Sequence, residues 1–392
     1  MSTLLAAVLT LALAITHSAA SDNGPVHLNL LPSRNAARLR AEDVAEAQAL
    51  RRDIIFKDFQ RPGFQRRQTV KSDWTLSNRA NSRYSVMMAF GTPPQDFLID
   101  VDTGSSELWV YDNACTPTQC GAHSSGFDAS KSSTYKDAGV TGEIQYVSSY
   151  CRGPAGFDTI GITNGRTGSE RATTLVQQQP FFRCNDSTTT QSEHEAPGNL
   201  GLAWYTIRGQ TPLWLNLVDG WQDKRFSMYF ARQNDSAFSP PEYRSSNGGV
   251  LTLGGINTEL FVGDIDYIPM SNRTYRNNAP FFWEIPVDGA EYGGQTFAAR
   301  SVAIVDTGNP FTSVPSSVFQ AVYANLPGAQ LTRSEGSRYA FPCRSASQLQ
   351  PLTITLNRRQ YTIPAVDLYI VASASGTTCY SSLDPVEDSY DE

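Results

Sequence analysis

Hydrophobic and polar positions alternate along this chain in short runs that end at turn residues. The first clear run covers residues 84–90, meets a Gly-Thr-Pro-Pro turn at 91–94 and resumes over residues 97–101. Similar runs occur at 225–230, 250–253, 302–305 and 352–356. Such runs, bounded by Gly and Pro, predict β-strands. Helical periodicity is scarce, with its best candidate in the second half at 316–326, so we expect an all-β fold.

One of these patterns occurs twice. Residues 99–105 are Ile-Asp-Val-Asp-Thr-Gly-Ser, and residues 303–309 are Ala-Ile-Val-Asp-Thr-Gly-Asn. A single copy would indicate only a turn, because Asp and Gly are common turn residues. Two copies, each behind a hydrophobic strand, predict two related lobes that bring Asp102 and Asp306 together. Two adjacent carboxylates cannot both ionise, so they share a proton and can activate a water molecule.

Length and charge divide the chain further. Its 392 residues, 40% of them hydrophobic, are enough for about two domains. Residues 21–67 hold nine Lys/Arg and six Asp/Glu, a net charge of +3, and because the whole chain carries −7, residues 68–392 carry −10. We interpret residues 21–67 as a basic pro-segment that ends at Arg66-Arg67 and pairs with the acidic body; the alternative is a solvated charged arm. The acidic body argues against nucleic-acid binding.

Residues 1–20 are typical of a secretory signal peptide. An apolar stretch covers residues 4–15 except for Thr10, and Ser-Ala-Ala at 18–20 suits signal cleavage. A membrane anchor is the alternative, but the stretch is too short to span a bilayer. The following features fit an oxidising secretory route: Cys115, Cys120, Cys151, Cys184, Cys343 and Cys379, and glycosylation sequons at Asn185, Asn234 and Asn272.

Other chemistries find little support in the sequence. There is no Gly-x-Ser-x-Gly nucleophile elbow and no Gly-x-Gly dinucleotide fingerprint. There is also no Cys-x-x-Cys and no His pair at metal-binding spacing, so we expect no metal. We expect no cofactor either, because water would be the nucleophile and carboxylates would transfer the protons.

From about residue 84 to residue 379 the chain resembles the pepsin family of aspartic proteases. The motifs that carry the resemblance are the turn at 91–95, the first active-site loop at 102–110, the flap hairpin at 144–146 and 156–159, the segment beneath that loop at 198–203, and the lobe crossing at 226–229 and 250–255. The resemblance implies an all-β, bilobal fold with a cleft between the lobes. It also implies a monomeric endopeptidase that cleaves protein or peptide substrates at acid pH.

The resemblance further implies roles for individual residues. Asp102 and Asp306 would be catalytic. The supporting residues would be Thr103, Gly104, Ser105, Thr307, Gly308 and Asn309, and the flap and substrate-binding residues would be Tyr146, Ser148 and Trp109. The implied disulfides are Cys115–Cys120 and Cys343–Cys379; elimination leaves Cys151–Cys184 as a third.

The sequence departs from the family pattern at three places. The flap tip at 147–150 has no glycine, and Asn309-Pro310 stands where the family has Thr or Ser after Asp-Thr-Gly. After Cys379 we find no hydrophobic-Leu-Gly-Asp strand, which would correspond to residues 199–201 of the first lobe. We therefore expect a second lobe that is truncated at its C-terminal end and less stable, with backbone groups near Asp306 left without partners.

These observations give a domain division and two alternatives to an active protease. We expect a signal peptide at 1–20, a pro-segment at 21–67, an N-terminal β lobe at 68–235 and an incomplete C-terminal β lobe at 236–392. The alternatives are a non-catalytic pepsin-fold protein that binds peptides through the same cleft, and a product that does not fold stably. The expected destination is extracellular, or an acidic vacuole reached by the secretory pathway.

Overall fold

A computed structural model provides the structure of most of the predicted β body. It describes residues 28–31, 71–79, 81–116, 120, 126–146, 150–167, 169, 171–187, 196–204, 210–231, 245–271, 282–332, 337–371 and 377–386. The signal peptide, most of the pro-segment, Ser148, Asn234, Asn272 and the acidic end of the chain lie outside these residues.

Strands make up most of the described residues, which confirms the all-β prediction. They are β1 (Leu28–Leu31), β2 (Ser72–Arg79), β3 (Arg83–Phe90), β4 (Gln95–Asp102), β5 (Leu108–Tyr111), β6 (Lys136–Gln145), β7 (Tyr150–Thr163), β8 (Thr173–Cys184), β9 (Asp186–Ser187), β10 (Gly198–Gly201), β11 (Phe226–Phe230), β12 (Ser245–Leu253), β13 (Glu284–Tyr292), β14 (Gln295–Val305), β15 (Thr312–Pro315), β16 (Gln330–Thr332), β17 (Arg338–Pro342), β18 (Leu352–Leu356), β19 (Arg359–Ile363), β20 (Tyr369–Val371), β21 (Thr378–Ser381) and β22 (Leu383–Val386).

Helices are short. They are the α-helices α1 (Leu213–Leu217) and α2 (Ser316–Tyr323) and 3₁₀ turns at Ala129–Lys131, Val218–Gly220, Cys343–Gln348 and Ala365–Asp367. Helix α2 covers most of the helix expected at 316–326 and buries Val318, Phe319, Val322 and Tyr323 on one face. Its position against β13, β15 and β22 makes it part of the second lobe's core.

The first lobe is built on one large sheet. Its strand order is β11-β12-β2-β3-β4-β10-β5-β8-β7-β6, with β9 beside β7 and an additional β3–β7 pairing that folds the sheet back on itself. Most side chains of β3 and all four of β5 are buried. This explains why these runs are almost continuously apolar rather than alternating.

The second lobe contains three smaller sheets. One has the order β1-β14-β13-β18-β19, a second pairs β15 with β22, and the third has the order β16-β17-β21-β20. Strand β18 alternates between buried and half-buried side chains, as expected for a sheet with one face on the core.

The two lobes share a strand pattern around the repeated motif. Strand β4 ends at Asp102 and pairs antiparallel with β3, and β14 ends just before Asp306 and pairs antiparallel with β13. After each motif a short strand, β5 or β15, pairs in parallel with a later strand, β8 or β22. The two-lobed, pepsin-like architecture expected from the sequence is therefore confirmed.

The free edges of β4 and β14 are covered by different strands. In the first lobe β10 lies between β4 and β5 and runs parallel to β4. In the second lobe β1 pairs with the end of β14 in antiparallel orientation and also contacts β15. The edge of β14 that we expected to lack a partner thus carries residues 28–31 of the same chain.

A cluster of aromatic rings joins the lobes beneath the two Asp-Thr-Gly loops. Trp204 lies against Trp214 and Trp283, with ring centroids 4.9 and 4.8 Å apart. The indole N–H of Trp283 donates to the carbonyl of Leu202 at 2.9 Å, and that of Trp214 donates to the carbonyl of Ala203 at 2.8 Å. Because Trp283 comes from the second half of the chain, this cluster ties one lobe to the segment that supports the other lobe's loop.

Three disulfides confirm the pairing expected from the sequence. They are Cys115–Cys120, Cys151–Cys184 and Cys343–Cys379, with Cα atoms 6.0, 5.5 and 5.0 Å apart. The Cys151–Cys184 bond links β7, the returning strand of the flap hairpin, to the end of β8. In the described part of the chain, no helix is both long and apolar enough to cross a membrane.

Candidate active site

The first Asp-Thr-Gly loop binds both carboxylate oxygens of Asp102. The backbone N–H of Gly104 donates to Oδ1 at 2.8 Å. The hydroxyl of Ser105 and the amide of Asn199 donate to Oδ2, the latter at 3.1 Å. Asp102 is only 7% exposed, so these donors replace the water that a free carboxylate would bind.

Asn199 contacts Asp102, and the sequence alone assigned no role to its side chain. Its amide nitrogen also donates to the Ser105 hydroxyl at 2.9 Å, so one side chain binds both the carboxylate and the residue that supports it. The parallel pairing of β10 with β4 places Asn199 opposite Asp100, two residues before the carboxylate. The sequence indicated a segment beneath the loop, but nothing in it showed that the Asn side chain would reach Asp102.

The second loop surrounds Asp306 in a similar way but with a different residue at its end. The backbone N–H of Gly308 donates to Asp306 Oδ1 at 2.8 Å, as Gly104 does in the first loop. The backbone of Asn309 also hydrogen-bonds the Asp306 carboxylate. The side-chain oxygen of Asn309 accepts the N–H of Phe311 at 3.1 Å and so closes a local turn after Pro310.

The two loops are joined by four reciprocal hydrogen bonds. Each threonine hydroxyl accepts the backbone N–H of the other threonine, with distances of 3.1 Å for Thr103 N to Thr307 Oγ1 and 3.0 Å for the reverse. Each hydroxyl also donates across the lobes, from Thr103 to the carbonyl of Val305 at 2.6 Å and from Thr307 to the carbonyl of Val101 at 2.9 Å. This buried network fixes the separation of the two carboxylates.

The carboxyl group of each catalytic-loop Asp lies against the glycine of the opposite loop. A β-carbon on Gly104 would collide with the carboxyl group of Asp306, and one on Gly308 would collide with that of Asp102. Only glycine leaves this space open. Burial, reinforced by the negative charge of Asp102, raises the pKa of Asp306 well above its usual range, while the Gly308 N–H opposes the shift. The proton shared by the pair therefore belongs mainly on Asp306.

A hairpin of β6 and β7 extends from the first lobe beside this pair. The indole N–H of Trp109 donates to the hydroxyl of Tyr146 at 2.7 Å, which connects the end of the hairpin to β5. Burial, and then the charges of Asp102 and Glu107, raise the pKa of Tyr146 well above that of a free tyrosine. Tyr146 therefore stays neutral and keeps its hydroxyl proton. The hairpin tip, with Ser148, lies outside the described residues.

Comparison with known proteins assigns the chain to a family. The family model described as eukaryotic aspartyl protease matches residues 83–391, which include both loops and the hairpin. The chain therefore belongs to the eukaryotic aspartyl protease family.

Its relatives include proteins from fungi and animals. It is 28% identical to a major aspartyl peptidase 1 of Cryptococcus neoformans over 75% of this chain and 60% of that protein. It is 30% identical to a pepsin A of Rhinolophus ferrumequinum over 77% of this chain and 72% of the relative. A probable vacuolar protease A of Arthroderma benhamiae is 28% identical, over 78% and 70% of the two chains. The chain thus spans less than two thirds of the length of its Cryptococcus relative.

Two further buried carboxylates, Asp100 and Glu107, lie close in sequence to Asp102. Asp100 precedes Asp102 by two residues, accepts the Ser85 hydroxyl at 2.5 Å and lies 3.6 Å from the guanidinium of Arg83. Burial raises its pKa, and Arg83 opposes the shift. Glu107 is 7% exposed. Asp100 lies within the first copy of the repeat, but the second copy has Ile304 at that position and Glu107 lies outside both copies, so the repeat gave no signal for either carboxylate.

Most of the residues expected at the site are brought together. The structure places Asp102, Thr103, Gly104, Ser105, Thr307, Gly308 and Asn309 around Asp306 and Trp109 beside Tyr146. In the described part of the chain, no group of three His, Cys, Asp or Glu side chains is arranged to hold a metal ion.

Proposed function

We propose that this chain is an aspartic endopeptidase in which Asp102 and Asp306 activate a water molecule to hydrolyse peptide bonds. The observation that carries the proposal is that each carboxyl group lies against the glycine of the opposite loop, which brings the carboxyl groups of Asp102 and Asp306 within hydrogen-bonding reach of each other. Two carboxyls with one proton between them provide a base and an acid in the same place, and aspartic proteases are the standard example of that chemistry.

The hydrogen bonds suggest which carboxyl performs which step. Asp102 accepts hydrogen bonds from three donors, Gly104, Ser105 and Asn199. Asp306, with its raised pKa, carries the shared proton. Asp102 then takes a proton from water as the water oxygen bonds to the peptide carbonyl carbon, and Asp306 gives its proton to the carbonyl oxygen.

The tetrahedral product of this attack collapses by the reverse proton transfers. The carbon–nitrogen bond breaks while Asp102 returns its proton to the leaving nitrogen. Asp306 recovers a proton from one of the two hydroxyl groups as the carboxylic acid product forms. The dyad is thereby restored, and no cofactor or metal is needed for any step.

The substrate would lie in the cleft beneath the flap. Tyr146 and Trp109 would contact it from the flap side, with Ser148 at the tip as a further polar group. Their apolar surroundings include the buried rings of Tyr111 and Phe182. Such a lining favours extended protein or peptide segments with bulky apolar side chains, and the two lobes of one chain supply the whole site, so a monomer suffices.

The segments before and around the body would control where and when the protease acts. A signal peptide at 1–20 would send it along the secretory route to the outside or to an acidic vacuole, with Asn185, Asn234 and Asn272 as glycosylation sites. A basic pro-segment at 21–67 would pair with an N-terminal lobe at 68–235 and a C-terminal lobe at 236–392. Protonation of the body at acid pH would weaken this pairing, since the basic arm keeps its charge.

Hydrolysis of a denatured protein near pH 3–5 tests the proposal. Wild-type protein should cleave this substrate and be inhibited by pepstatin. Asp102→Asn should lose at least about a thousandfold in rate, because the base is removed while the shape is kept. Asp264→Asn is the matched control, since Asp264 is exposed. Hydrolysis that persists both in the presence of pepstatin and in the Asp102→Asn variant would refute the proposal.

A further inference from the structure

A buried carboxylate that the proposed mechanism does not use lies beside Asp102. Asp100 is 6% exposed and precedes Asp102 by two residues on β4, a separation of about 7 Å along a strand. Because successive side chains of a strand point to opposite faces, Asp100 and Asp102 share one face. The second copy of the repeat has Ile304 at the matching position, so the repeat places such a carboxylate in the first lobe only.

The neighbouring strands place two polar residues opposite Asp100. Ser85 on β3 lies opposite it on one side and donates its hydroxyl proton to Oδ1 at 2.5 Å. Asn199 on β10 lies opposite it on the other side, and the Asn199 amide donates to Oδ2 of Asp102 at 3.1 Å. Asp100 and the catalytic carboxylate therefore lie in one polar row across the sheet.

Arg83 brings a positive charge to this row. The register of β3 and β4 pairs Ser85 with Asp100, and its continuation by two residues places Arg83 opposite Asp102, at a Cα distance of about 5 Å for such neighbours. The Arg83 guanidinium lies 3.6 Å from Oδ2 of Asp100, and its side chain is 19% exposed. Among the described residues, this buried Oδ2 atom has no hydrogen-bond donor. The charge of Arg83 therefore compensates Asp100 when Asp100 is ionised.

Asp100 loses its proton at a higher pH than an ordinary aspartate does. Burial raises its pKa, Arg83 and then the Ser85 hydroxyl oppose the shift, and the charge of Asp102 adds to it. At the acid end of the pH range Asp100 is neutral, so Arg83 is an uncompensated cation that favours one negative charge on the dyad. As pH rises Asp100 ionises, and its charge opposes the loss of the proton that the dyad shares.

Other charged or titratable groups lie around the dyad and act in addition to this pair. Arg79 at the end of β2 contributes a further positive charge near Asp100. The second loop contributes Asp306, with its raised pKa. The flap side contributes Tyr146, which stays neutral, and Glu107, whose charge acts on Tyr146. Substitution of the pair leaves all of these groups in place, so their contribution is common to the wild-type and variant proteins.

We propose that Arg83 and Asp100 are positioning residues that set the two ends of the pH range in which the dyad works, a role that rests on the proposed function. Arg83 sets the acid end, because its charge favours an ionised dyad while Asp100 is neutral. Asp100 sets the basic end, because its own charge, once formed, retains the shared proton. The two ends of the range therefore depend on two different side chains.

The pH profile of kcat/KM for a peptide substrate tests the two roles separately. Asp100→Asn keeps the shape of the side chain and an acceptor for Ser85. It should move the basic limb to lower pH by at least about 0.5 unit and the acid limb by less than about 0.2 unit. Arg83→Met should move the acid limb to higher pH by at least about 0.5 unit. A merely structural role would lower kcat/KM at every pH without moving the limbs separately.

A second ion pair on the same strand provides matched controls. Asp96 accepts two hydrogen bonds from Arg171, at 2.6 and 2.7 Å, and lies six residues before Asp102, about 20 Å along β4. Asp96→Asn and Arg171→Met should leave both limbs within about 0.2 unit of wild type, because salt screens charges at that distance. A basic limb of Asp100→Asn or an acid limb of Arg83→Met within about 0.2 unit of wild type would overturn the proposal, as would equal shifts in the controls.

A titration that needs no catalysis separates this inference from the proposed function. In full-length protein with isotope-labelled Asp carboxyl carbons, the NMR signal that disappears in Asp306→Asn identifies Asp306. Its titration midpoint should fall by at least about 0.5 unit in Asp100→Asn and stay unchanged in Asp96→Asn; equal midpoints in Asp100→Asn and wild type refute the inference even in an active protease.

Two other outcomes are also decisive. If the wild-type protein hydrolyses no peptide, the proposed function fails, and the NMR titration alone decides whether Asp100 acts on the dyad. If Asp100→Asn does not fold, the acid limb of Arg83→Met decides the proposal, because the partly exposed Arg83 side chain is the easier of the two to replace.

Discussion

The hydrogen bonds between Thr103 and Thr307 allow a quantitative prediction. Thr307→Val keeps the size and branching of the side chain but removes its hydroxyl. The N–H of Thr103 and the carbonyl of Val101 then each lose a partner, at 3.1 and 2.9 Å respectively. Each buried group left without its hydrogen bond costs about 1–3 kcal/mol, so for the two groups we expect a total loss of about 2–6 kcal/mol in the free energy of unfolding.

Urea unfolding followed by tryptophan fluorescence measures this loss, because Trp204, Trp214 and Trp283 lie between the lobes. Thr362→Val is the matched control: Thr362 lies on β19 and is exposed, so its substitution should change stability by less than about 0.5 kcal/mol. Thr307→Val should also lower the rate of peptide hydrolysis, because the hydrogen bonds that fix the distance between the two carboxylates are lost.

A double-mutant cycle sharpens the assay. Thr103→Val should cost a similar amount, because Thr103 accepts the N–H of Thr307 at 3.0 Å and donates to the carbonyl of Val305 at 2.6 Å. The double variant should cost less or more than the sum of the single variants, as expected for residues in one network. Strict additivity, or a Thr307→Val loss no larger than that of Thr362→Val, would refute the reasoning.

Three further predictions concern the carboxylates and the flap. The raised pKa of Asp306 means that the folded state keeps a proton that the unfolded state loses, so the free energy of unfolding should fall as pH rises above about 4. Asp306→Asn should reduce this fall. An Asp306→Asn protein with the same pH profile of stability as wild type would contradict the prediction. Gly308→Ala should lower activity by at least about a hundredfold, because its methyl group would displace the carboxyl of Asp102; near-normal turnover by a folded variant would argue against this contact. Trp109→Phe should lower kcat/KM about tenfold by removing the N–H donor to Tyr146, whereas an unaltered kcat/KM would separate that hydrogen bond from catalysis.

Much of the fold could be predicted because its signals are local. The run at 84–90 corresponds to β3, and the helix candidate at 316–326 corresponds to α2. Both could be predicted because the periodicity of a strand or a helix depends on residues that are close in sequence. The duplicated Asp-Thr-Gly loop likewise predicted two related lobes. The pairing of cysteines needed the family resemblance, because the number of cysteines alone leaves many connectivities open.

The side chains and strands that contact each carboxylate or its loop were less predictable. Asn199 reaches Asp102 across 97 residues of sequence. Asp100 lies two residues before Asp102, but the second copy of the repeat has Ile304 at that position, so the repeat did not point to it. We expected the edge of β14 to lack a partner because we looked for a strand after Cys379. The structure instead places Leu28–Leu31 there, and short apolar segments carry no local signal of which edge they pair with.

The sequence by itself determined the chemistry: two loops that each end a buried strand in Asp-Thr-Gly, the strand-rich body, and the flap with Tyr146. Only the tertiary structure decided how the loops are held, through Thr103 and Thr307 that lie 204 residues apart, and which strand pairs with the outer edge of β14. The physical reason is that turns and strands follow from neighbouring residues, whereas the partners of buried backbone groups are chosen by the chain as a whole.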